Sequence, residues 1–185
     1  NGPSDTYLGF SKRGGGAAGE HSHGLHLWIY LASLLNKGKI KGVSALFDYH
    51  KDKSTNYDKL SMFNLRTEDG LLGRCIQDVV TQPSRKWARI QFSSGFIDIT
   101  FTPFCDFLKY QHITNSEVVE LSFPKKRADD FITELKCLYK CVKDLAVYES
   151  SPLNISFGID VMHVIRAGHV SSQNGVLVTP EKSLE

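Results

Sequence analysis

The residues best suited to chemistry stand near the start of the chain, in the run Gly14-Gly15-Gly16-Ala17-Ala18-Gly19-Glu20-His21-Ser22-His23-Gly24-Leu25-His26. A glycine triplet leads into one carboxylate and three imidazoles. Glu20 and His23 are spaced i,i+3, so a helix would set them on one face. There a carboxylate can orient an imidazole for proton transfer. The small residues Ala17, Ala18 and Gly19 let a ligand or another backbone come close.

Two other readings of the run stay open. Histidines on a helix surface are often only solvated or satisfied polar groups. His21-x-His23-x-x-His26 also resembles the first half of the metallo-β-lactamase HxHxDH motif, which would make a zinc-dependent hydrolase using His21, His23 and His26. Leu25 stands at the Asp position of that motif. On a regular helix His21 and His23 point about 200° apart and cannot chelate one ion. His112, His163 and His169 lack recognisable ligand contexts, so no metal is expected.

The elements that must position this run follow from periodicity. Residues 1–13 read as irregular, broken by Gly2, Pro3 and Gly9. A helix is expected from about Ala17 to Asn36, capped by Gly38. Leu25, Trp28, Ala32 and Leu35 form its core stripe, and Glu20, His23, His26, Leu27 and Tyr30 share another side. Strands are expected at Val43 to His50, Lys59 to Thr67 and Leu71 to Thr81, with a loop over Lys51 to Asp58. Further strands are expected at Lys86 to Ser93, Gly95 to Thr102 and Glu117 to Phe123. Glu68-Asp69-Gly70 and Ser94-Gly95 read as hairpin turns, which make the strands an antiparallel meander. A helix over Lys126 to Asp144 carries Phe131, Leu135, Leu138 and Val142 on one face. Another over Ser156 to Ser171 carries Ile159, Met162, Ile165 and Val170, and a short apolar piece, Gly175 to Thr179, follows. The expectation is one α+β domain over residues 1–185, an open, mainly antiparallel sheet with helices on one face. Such a sheet must cover its second face, so a homo-dimer or homo-tetramer through that face is expected.

Composition narrows the class. The chain is 41% hydrophobic and 23% charged, an ordinary globular balance, with a net charge of +2. The basic residues are scattered except for Lys125-Lys126-Arg127, which Asp129 and Asp130 follow, so no nucleic-acid footprint is present. Four cysteines do not make a disulfide framework, which points to a reducing cytoplasm. Cys137 and Cys141 stand at i,i+4, without a second pair at ligand spacing. No apolar run is long enough to span a membrane.

Taken in order, these motifs resemble the C-terminal domain of the Gfo/Idh/MocA oxidoreductases, the glucose–fructose oxidoreductase and inositol dehydrogenase family. The resemblance rests on Gly14-Gly15-Gly16, Glu20, Ser22, His23 and His26, preceded by Pro3, Tyr7, Phe10-Ser11 and Lys12-Arg13. It continues through Gly42-Val43-Ser44-Ala45, Asp69-Gly70, Gln82-Pro83-Ser84-Arg85 and Gly95, then Phe131, Glu134-Leu135, and Ile165 to Gly175 with Ser171-Ser172. It implies a partner N-terminal domain that holds NAD or NADP and supplies a catalytic Lys in a Glu-Lys-Pro run. The chain shows neither that run nor a dinucleotide-binding glycine loop, and its Glu181-Lys182 pair stands in the tail. The N-terminal dinucleotide-binding domain is thus expected to be absent from this chain, which would be inactive alone.

The resemblance further implies that His23 meets a sugar hydroxyl and assists proton transfer, with Glu20 as the nearby acid. His26 occupies a position that is usually acidic. Lys12 and Arg13 would meet a substrate carboxylate or phosphate, unless they are only a surface basic pair. Gly15 and Gly16 would let the substrate approach the backbone. The implied function is the C-terminal part of an NAD(P)-dependent oxidoreductase acting on a sugar, sugar derivative or cyclitol. A non-catalytic oligomerisation or sugar-binding module is the alternative.

Overall fold

The glycine triplet does not lead into one long helix. The computed structural model describes residues 5–52 and 54–180. The expectations for Gly2, Pro3 and Glu181-Lys182 lie outside the described residues. After two 3-10 turns, Tyr7–Gly9 and Ser11–Arg13, the chain forms α1 (Ala17–Glu20), breaks, and resumes as α2 (His23–Leu34). The break has a cause. The His21 carbonyl accepts from the Gly24 N–H at 3.0 Å and from Gln77 Nε2, so it does not serve the next helical turn. At the far end Asn36, with φ of 51°, takes the left-handed position before Gly38.

Contacts group the chain into two units, one running to Thr81 and including the segment from Pro152, the other Gln82–Ser151. In the first, β1 (Ile40–Lys51), β2 (Asn56–Thr67) and β3 (Leu72–Asp78) form an antiparallel sheet in that order. Val43 and Ala45 on β1, with Phe63 and Leu65 on β2, point into the core by simple alternation. The helix α5 (Ile155–Asn174) packs there through Val161, Val164, Ile165 and Ala167, with Leu25 and Ile29 of α2 beside them. Of the stripe expected on this helix, Ile159 and Met162 instead stand exposed. The buried row is offset because Gly168 gives its space to the rings of Phe63 and Phe47.

β1 is an edge strand, and its outward N–H groups find partners. Val43 donates to the Val178 carbonyl at 2.8 Å, Ala45 to Ser171 Oγ at 3.0 Å and Phe47 to Ser172 Oγ at 2.9 Å. The serine pair and the tail piece therefore close the edge.

β2 is longer than its alternation predicts. Pairing runs Phe47 with Ser61, Asp48 with Leu60, then Tyr49 with Asp58, so Lys59 is an extra residue. This bulge turns Asp58 onto the same face as Ser61 and Phe63. Asp58 is 1% exposed.

In the second unit β4 (Lys86–Gln91), β5 (Gly95–Phe101), β6 (Cys105–His112) and β7 (Val118–Pro124) form a four-stranded antiparallel sheet. β6 has no counterpart among the expected strands. The helices α3 (Arg127–Lys143) and α4 (Leu145–Ser150) follow. The expected stripe of α3, Phe131, Leu135, Leu138 and Val142, is exposed, whereas Cys141 is buried. Periodicity names the residues that share a face; it does not supply something to cover them. The architecture is α+β with antiparallel sheets.

Candidate active site

The segment from Tyr7 to His23 is a tight wrap held by backbone. Gly15 N–H donates to the Phe10 carbonyl at 3.1 Å and Gly16 N–H to the Leu8 carbonyl at 2.9 Å. Gly14 and Gly16 both adopt positive φ, 80° and 93°. A Cβ on Gly15 would collide with the carbonyls of Tyr7 and Leu8, and one on Gly16 with the Asp58 carboxyl. The space at Gly15 and Gly16 is thus filled from within the fold.

Asp58 organises the helix start. Its Oδ2 accepts the Ala18 N–H at 2.7 Å. A carboxylate therefore already sits where α1 presents its open N–H groups. Burial pushes the Asp58 carboxyl above the usual carboxylate range, against the pull of those N–H groups. On the same face Tyr49 Oη and His169 Nδ1 share a hydrogen bond of 2.8 Å, and the Phe47 ring meets His169 edge-on at 4.5 Å. Burial lowers the His169 pKa, with Asp58 opposing, and pushes the Tyr49 phenol up to about 12. Sequence reasoning missed Asp58 by leaving it in a loop, and it gave His169 and Tyr49 no role.

The candidate site residues fall out as follows. Glu20 is half-buried and accepts a hydrogen bond from the Tyr7 hydroxyl. That bond, followed by desolvation, raises the Tyr7 pKa. His23 is exposed in the first turn of α2. Among the described residues no hydrogen bond or ion pair joins His23 to Glu20. The expected single helical face is lost at the break, and Tyr7 takes the carboxylate instead. His26 lies against Phe157, ring centroids 6.0 Å apart. Arg13 lies over the Phe10 ring at 4.5 Å. Lys12 lines a groove of about 200 Å³ with Phe10, Ser11, Asp52, Ser54, Thr55 and Asn56. Among the described residues no three His, Cys, Asp or Glu side chains come together to hold a metal ion.

The whole-chain geometry matches solved structures. An aldose-aldose oxidoreductase from Caulobacter crescentus, solved with glycerol, superposes with a TM-score of 0.75 at 15% identity, over 97% of this chain and 52% of that one. The chain has the fold of the C-terminal domain of Gfo/Idh/MocA-type oxidoreductases. An oxidoreductase domain protein from Kribbella flavida matches at 14% identity and a TM-score of 0.68, over 94% of this chain and 52% of that one. The WlbA dehydrogenase from Bordetella pertussis, solved with NADH and UDP-GlcNAcA, matches at 16% identity and a TM-score of 0.52, over 96% and 51%. The chain thus spans about half the length of these structures. No protein-family model matches the chain, and no curated protein matches it by sequence. No helix among the described residues is long and apolar enough to cross a membrane.

In this Gfo/Idh/MocA-type fold the wrap before α2 is no dinucleotide cradle. The described strands pair antiparallel, apart from a single parallel bridge between Phe10 and Asn56. The glycine turn that could face a phosphate already faces Asp58.

Proposed function

We propose that this chain is the substrate-facing C-terminal domain of a cytoplasmic NAD(P)-dependent oxidoreductase acting on a sugar, sugar derivative or cyclitol. The observation that carries the reading is the fold likeness to the aldose-aldose oxidoreductase over 97% of the chain. Bound NAD(P) would take up or give the hydride, and its dinucleotide site lies in a domain outside this chain. What this chain adds is binding and proton handling. His23, exposed at the start of α2, accepts the proton of the substrate hydroxyl as the carbonyl forms. Glu20, held by Tyr7, keeps a carboxylate on the segment that leads into His23. Lys12 and Arg13 offer cationic groups to a substrate carboxylate or phosphate. The domain also self-associates through a sheet face.

The alternative, a non-catalytic sugar-binding or assembly module, is favoured by one observation: Glu20 is bonded to Tyr7, and no bond joins it to His23. The test is His23→Ala in the intact enzyme, assayed with NAD and NADP against aldoses and cyclitols. Catalysis by His23 predicts a fall in kcat of roughly 10²- to 10⁴-fold with the fold intact. Unchanged turnover removes His23 from the chemistry and moves the chain to the alternative.

A further inference from the structure

Gln77 of β3 is 6% exposed, and its carboxamide is held at both ends. Nε2 donates to the His21 carbonyl, and Oε1 lies 3.5 Å from the Oγ of Ser61, the residue opposite it on β2. Ser61 is itself fully buried. A carbonyl can only accept, so the NH2 end of the amide must face His21. A Cβ on Gly24 would stand 2.9 Å from Nε2 and 3.0 Å from Cys75 Sγ, so the first turn of α2 is bare where the amide passes. The His21 carbonyl also accepts from the Gly24 N–H at 3.0 Å, so it does not need Gln77 to be satisfied. A buried amide costs stability unless it is bonded, and an apolar side chain of the same length would fill this space without that cost.

The place of the bond in the chain says what it does. The His21 carbonyl lies between Glu20 and His23, at the break between α1 and α2. Ser22, the N-cap of α2, makes no side-chain capping bond, so the helix has no cap of its own to set its entry. Gln77 supplies that anchor from the sheet. Were α1 and α2 one helix, Glu20 and His23 would share a face at i,i+3 and the carboxylate would reach the imidazole. Held apart by the break, Glu20 goes to the Tyr7 hydroxyl, and the imidazole of His23 stays exposed. We propose that Gln77 is a positioning residue: by donating to the His21 carbonyl it aims the first turn of α2, so that His23 meets the substrate hydroxyl and Glu20 stays off its face. This rests on the proposed role of His23 and adds the residue that aims it.

The test uses two variants in the intact enzyme, each made with His23 present and with His23→Ala. Gln77→Met keeps the length of the side chain and removes the donor. Gly24→Ala keeps Gln77 but crowds its Nε2, the far end of a flexible side chain, while favouring helix. Circular dichroism and thermal unfolding confirm the fold, and steady-state kinetics read kcat and KM separately. A misplaced imidazole predicts a fall in kcat of roughly 10- to 100-fold with KM within about twofold, because only the reacting geometry is lost. In the His23→Ala background the same substitutions are expected to cost nothing further, since the group they aim is gone. Equal losses in both backgrounds overturn the proposal and leave Gln77 a structural pin. Full turnover in Gln77→Met, with His23→Ala impaired, overturns the role of Gln77 and leaves that of His23 standing. Full turnover in His23→Ala alone overturns both. If Gln77→Met does not fold, Gly24→Ala carries the comparison, with the same readings of loss and of unchanged turnover.

Discussion

Asp58 Oδ2 accepts the Ala18 N–H at 2.7 Å across 40 residues of sequence, so a strand residue caps the helix that carries Glu20. This bond joins the bulge in β2 to the glycine wrap and sets where the candidate site begins.

Asp58→Ala removes that cap and leaves the Ala18 N–H without a partner. The expected loss is about 1–2 kcal/mol in urea unfolding. Asp58→Asn keeps an acceptor and should retain most of it. Because burial raises the Asp58 pKa, the folded state holds its proton to higher pH than the unfolded chain. Its contribution is therefore fully present below the ordinary carboxylate value and is lost as pH rises through the raised one. Asp58→Asn should flatten that part of the stability profile.

His169 works in the opposite direction. Its folded pKa is lowered by burial, so the contribution is present above the ordinary histidine value and is lost as pH falls through the lowered one. His169→Gln should lose less stability between neutral and mildly acidic pH than the wild type does. An identical acid slope in denaturant titrations would show that His169 does not set it.

Gly15→Ala places a methyl group against the Tyr7 and Leu8 carbonyls. Backbone must move, so a destabilisation of about 2–3 kcal/mol is expected. Gly70→Ala has open space but positive φ, and should cost about 1 kcal/mol. Thermal unfolding of the two variants compares collision with backbone strain.

Tyr7 donates to Glu20, which stabilises the neutral phenol. Glu20→Gln should bring the Tyr7 pKa down toward its ordinary value. The difference in tyrosinate absorbance between each protein and its Tyr7→Phe counterpart isolates this one group.

Phe63 is fully buried between β2 and α5, in contact range of Gly168. Phe63→Ala should cost about 3–5 kcal/mol, read from the denaturation midpoint.

By itself the sequence determined what depends on neighbours along the chain. Alternation set the inward positions of Val43, Ala45, Phe63 and Leu65, and Glu68-Asp69-Gly70 set the hairpin, with Gly70 at φ of 79°. Most of the order of strands and helices, apart from β6, α4 and the break between α1 and α2, was legible for the same reason, as was the family-like glycine and histidine run. Contacts between distant segments decided the rest. Periodicity carries no record of Gln77 diverting the His21 carbonyl, so it joined α1 to α2 and set Glu20 beside His23. It carries no record of a bulge at Lys59, so Asp58 stayed in a loop. Tyr7 claims Glu20 only because the wrap brings 13 residues of chain back on itself. The pairing order β4-β5-β6-β7 likewise exists only in the folded sheet, and it alone aligns Arg89, Asp98, Lys109 and Glu120 into one row. A side chain's type is local, but its partner is whatever the closed chain places within hydrogen-bond reach.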